Sequence, residues 1–83
     1  MNANLNLSLG LAHDALSQAN MQNSLDLAKY ALGLFAGAAA SVAPERELHT
    51  VFSIASRGSQ EDTVELVTSA AVALKSIAEN SAR

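Results

Sequence analysis

Cysteine and tryptophan are absent from this 83-residue chain, proline occurs once, and the aromatic side chains amount to one Tyr and two Phe. Without cysteine there is neither a disulfide nor a thiolate metal site. Two histidines far apart in sequence, His13 and His49, leave little scope for a metal clip. For a domain this small, oligomerisation is the remaining stabilising device. Basic residues are scarce as well, five against eight acidic, for a net charge of −3 and no basic cluster. That excludes nucleic acid and anionic lipid as expected partners, because phosphate recognition needs several cations on one face. Long apolar runs are also missing. The longest uncharged stretch, residues 30–44, is mostly alanine and glycine and falls short of the roughly 20 strongly apolar residues of a bilayer span, so no membrane span is expected. The start, MNANLNLSLG, lacks the basic region of a secretory signal; a cytoplasmic location is the expectation.

What is present is helix-forming sequence with an uneven distribution of charge. Only Asp14, Asp26 and Lys29 are charged before Pro44, and the other ten of the thirteen charged residues follow it. A single all-α domain over residues 1–83 is expected, a small helical hairpin or up to a four-helix bundle, completed by oligomerisation. The alternation of Leu5, Leu7, Leu9 and Leu11 has a strand period. Leucine is nevertheless a poor strand former beside β-branched residues, and Leu5, Leu9, Ala12, Leu16 and Ala19 fit helical steps of four and three. Helix is therefore expected over residues 7–19, with residues 1–6 flexible. A second helix starts at the N-cap Ser24 and runs to about Ser41. One helix continuous over residues 7–41 is the alternative, since nothing in residues 20–23 forbids it. The third helix starts with Pro44 at its first position and Glu45 and Glu47 in the first turn, where the helix dipole favours carboxylates. It ends at Gly58 after Arg57. The fourth is capped by Ser59 with Asp62 three residues on and reaches about Ala78. Breaks thus fall near residues 20–23, 42–44 and 57–59. The nonapeptides SLGLAHDAL and SLDLAKYAL share six of nine positions, a shared recipe for starting an amphipathic helix rather than a solenoid repeat.

The second helix carries the candidate interaction residues. Leu25, Ala28, Leu32, Phe35, Ala39 and Val42 have the alternating spacing of a coiled-coil seam. A second row, Leu27, Ala31, Leu34 and Ala38, lies beside it, so this helix needs at least two neighbours. A third side carries Gly33, Gly37, Ala40 and Ser41. Glycine within a helix costs about 1 kcal/mol against alanine; close approach of another helix is one reason to keep two of them four apart, and simple tolerance is the other. In the fourth helix, Val64, Val67, Ala71, Leu74 and Ala78 run beside Leu66, Ala70, Ala73 and Ile77, leaving Glu61, Glu65, Thr68, Lys75 and Glu79 outside.

Catalytic patterns are weak by comparison. His13 and Asp14 are adjacent and do not face each other on a helix. Glu45 and His49 are four apart, which is the spacing of an ordinary surface contact. No phosphate loop, helical metal spacing or nucleophile motif occurs. A non-enzyme without cofactor or metal is expected.

The segment DALSQANM at residues 14–21, followed by Ala28, Ala31, Gly33 and Leu34, resembles the Reb (killing trait) family, whose members carry a D-A-V-T-Q-x-N-V stretch and then a small-residue segment with an Ala-x-Gly step. Identities fall at Asp14, Ala15, Gln18, Asn20 and Gly33. The resemblance implies a structural subunit of bacterial R-bodies, coiled protein ribbons. Together these features predict a self-associating, non-catalytic structural protein that meets its own copies through Leu25, Ala28, Leu32, Gly33, Phe35, Gly37 and Ala40. The alternative is a small dimeric adaptor, chaperone or inhibitor that binds a second protein through an apolar helix face.

Overall fold

Asn23 decides how the first half of the chain folds. In the computed structural model, which describes residues 3–81, its φ is 50°, in the left-handed region that asparagine tolerates better than most residues. The Ser24 N–H then donates to the Ala19 carbonyl at 3.0 Å, closing the C-terminal turn. The Ser24 hydroxyl accepts from the Leu27 N–H at 3.2 Å and caps the next helix. Two helices result, α1 (Ala3–Gln22) and α2 (Leu25–Val42). Helix α1 is longer at both ends than the periodicity predicts. Residues 3–6, expected to be flexible, belong to it, and Met1 and Asn2 lie outside the described residues.

The other boundaries show which local signals were used. Ala43 is extended (φ −68°, ψ 143°), as the residue before a proline prefers. Pro44 stands at the N-cap rather than at the first helical position, and α3 (Glu45–Ser59) begins just after it. Glu45, Glu47 and Arg57 occupy the first and last turns as the helix dipole favours. Gly58 does not end α3; it lies buried within its last turn. Ser59 likewise does not cap α4 (Val64–Ser81). Its hydroxyl donates to the Ser56 carbonyl at 2.8 Å, while Thr63 accepts from the Leu66 N–H at 3.2 Å. The cap thus lies four residues later than expected, and residues 60–63 form the connection.

The four helices make an all-α bundle in which α2 packs against α1, α3 and α4. The Cα radius of gyration is 11.7 Å, near the about 12 Å of a compact chain of this length, and the body is flattened, 31 × 25 × 14 Å. Phe35, Leu74, Val51 and Val67 are the largest side chains fully removed from solvent, and the rest of the core is mainly alanine. On α2 the seam residues Ala28, Leu32, Phe35 and Ala39 are buried, together with Ala31 and Ala38 of the second row. The expectation of at least two neighbours for this helix is met within one chain.

With 18 residues and a mean hydropathy of 1.3, α2 is long and apolar enough to cross a membrane by length and composition. The uncharged run alone does not show this, because Asp26 and Lys29 lie in the helix's first two turns. In the bundle, α2 is the central helix.

Candidate interaction surface

The seven residues expected to meet a partner divide into two groups. Ala28, Leu32 and Phe35 are buried among the chain's own helices, and Leu25 and Ala40 are half-buried. The Phe35 ring also packs at right angles to the His13 imidazole from α1, with centroids 5.4 Å apart at 89°. Gly33 and Gly37 differ from these. Both are exposed, and a Cβ placed on either meets no atom within 4 Å. Among the described residues no helix makes the close approach for which glycine is suited.

Between α1 and this side of α2 runs an open groove of about 400 Å³, lined by Leu5, Ser8, Gly33, Leu34, Gly37 and Ala38, with Ser41 at its end. None of these residues carries charge. The Ser41 hydroxyl is turned back to the Ala38 carbonyl at 2.8 Å, so one of the groove's few polar groups is already partnered. The same two helices hold large apolar side chains in water: Leu7 66% exposed, Leu11 58%, Met21 75% and Tyr30 58%. Sequence reasoning missed the two leucines as surface features, although the signal was present. Turning Leu5 and Leu9 inward on a helix sends Leu7 and Leu11 outward, because a step of two residues rotates a side chain by about 200°.

Polar groups contribute little organised chemistry. His13 Nε2 lies 3.5 Å from Glu79 Oε2 and ties α1 to α4 on a solvent-exposed edge; the histidine thus turns to another helix and not to Asp14. Among the described residues no charged or polar side chain is buried, and no three His, Asp or Glu converge as metal ligands. A shallower pocket of about 220 Å³ opens between α3 and α4 at Ile54, Arg57, Gly58, Glu61, Leu66 and Ala70. What the larger surface can do is bury apolar area against a partner that brings little charge. In comparisons with family models, curated proteins and solved structures, the chain matches none.

Proposed function

We propose that this chain is a non-catalytic helical protein that works by associating with copies of itself, as a structural subunit of a bacterial protein assembly in the cytoplasm. The observation that carries the proposal is the uncharged groove at Gly33 and Gly37, on two helices that also leave Leu7, Leu11, Met21 and Tyr30 in solvent and carry only Asp14, Asp26 and Lys29 as charges. An uncharged groove on two such helices is a place where another molecule can bury apolar area. The charges sit mainly on the other half of the chain, so the pale face of a second copy is an apolar partner the chain itself supplies. The resemblance of residues 14–34 to R-body subunits supports the same reading. Sedimentation velocity over a hundredfold range of concentration tests it. A growing series of sizes is the expected result. A single sharp dimer favours the adaptor alternative, and a monomer throughout overturns self-association. Coupled folding and association also predicts a melting temperature that rises with protein concentration.

A further inference from the structure

The break at Asn23 separates two helices whose sequence patterns run through it. From Leu5, alternate steps of four and three give the inner row of α1, through Leu9, Ala12 and Leu16 to Ala19. Continued without interruption, the same steps pass Asn23 and Asp26 and arrive at Tyr30, Gly33 and Gly37. Those last three residues are the uncovered side of α2. The row that α1 buries and the row that α2 leaves open are therefore one heptad seam, put out of line only by the turn. Residues 20–24 contain neither glycine nor proline, so nothing in them forbids helix. The residue that makes the turn is a non-glycine held at positive φ, a conformation released on rewinding. A short hinge of this kind invites exchange between copies.

We propose that the chain has a second state in which α1 and α2 join into one helix through residues 20–24, and that a second copy, running antiparallel, packs along the completed seam. This rests on the self-association reading above and specifies the geometry of one pairwise contact within the assembly. The pairing is self-complementary. In the register that sets Asn23 opposite Asp26 of the second copy, Ala19 faces Tyr30, Leu16 faces Gly33, Ala12 faces Gly37 and Leu9 faces Ala40. Tyr30, Leu16 and Leu9 each meet a small residue, and the polar pair meet each other at the centre, where a polar layer fixes register. The two-fold relation repeats each contact. The open space beside Gly33 and Gly37 is then the seat of the second copy's Leu16 and Ala12.

Two substitutions bias the hinge in opposite directions. Asn23→Gly favours the left-handed turn, and Asn23→Ala favours continuous helix. The absence of cysteine allows Ser8→Cys and Ser41→Cys to carry spin labels in each background. These positions line one groove in the hairpin and stand about 50 Å apart on a continuous helix. Doubly labelled chains are diluted into unlabelled chains so that only distances within one chain are read, alongside sedimentation of each sample. The expected result is a population of associated species at least tenfold larger for Asn23→Ala than for Asn23→Gly, with the long distance confined to those species. Oligomers that keep the short distance in every background overturn the rewinding and leave self-association standing. Monomers in every background overturn both.

Discussion

Replacing Gly58 by alanine tests whether close packing or helix termination explains that glycine. A Cβ at Gly58 lies 2.7 Å from the Cβ of Ala70 and 2.9 Å from Cδ2 of Leu32. The Ala70 Cβ is fixed to its backbone, so α3 must move away from α4 to admit the methyl group, and overpacking of this kind costs about 1–3 kcal/mol. Alanine restores up to about 1 kcal/mol of helix propensity at the same position. The net expectation for Gly58→Ala is a loss of about 0–2 kcal/mol. Gly33→Ala is the matched control: it has the same propensity gain and open space at its Cβ, so it should stabilise by up to about 1 kcal/mol. The two variants should therefore differ by about 1–3 kcal/mol, and for a domain of this size each kcal/mol moves Tm by about 4–8 °C. Urea and thermal melts at low concentration, where association contributes least, supply the values. Adding Ala70→Gly to Gly58→Ala should recover part of the loss, and the double-mutant cycle measures how much. If Gly58→Ala stabilises as much as Gly33→Ala, the close α3–α4 contact does not constrain the fold and the reasoning fails.

Phe35→Ala should cost about 3–5 kcal/mol, enough to unfold a marginal domain, because its ring is fully buried; a loss under 1 kcal/mol in a urea melt would contradict that placement. Thr63→Ala should cost about 0.5–2 kcal/mol as loss of the α4 cap, whereas Ser59→Ala should stay within about 0.5 kcal/mol; equal effects would return the cap to Ser59. Leu7→Ser with Leu11→Ser should leave monomer stability within about 1 kcal/mol, as both side chains are exposed, and should reduce association in sedimentation. Unchanged association would remove these leucines from the contact surface.

Much of the architecture was legible because it depends on forces that act within a few residues. The helical steps of the apolar rows, the Ser24 cap, the extended Ala43 before Pro44 and the carboxylates opening α3 are local consequences of backbone geometry and hydrogen bonding. The need of α2 for several neighbours also follows from its own pattern, since two adjacent apolar rows are wider than one helix can cover. Other features depend on residues far away in sequence. Gly58 reads locally as a helix end, and only the approach of Ala70 and Leu32 shows it to be a packing position. Ser59 and Thr63 both have the chemistry of a cap, and the choice rests on where α3 stops once it is packed. The candidate surface shows the same division. Spacing alone put Leu32, Phe35, Gly33 and Gly37 together on one helix, but which side of that helix the chain covers for itself is settled by the arrangement of α1, α3 and α4 around it. Periodicity defines the apolar rows of a helix, and only tertiary packing selects the row left open.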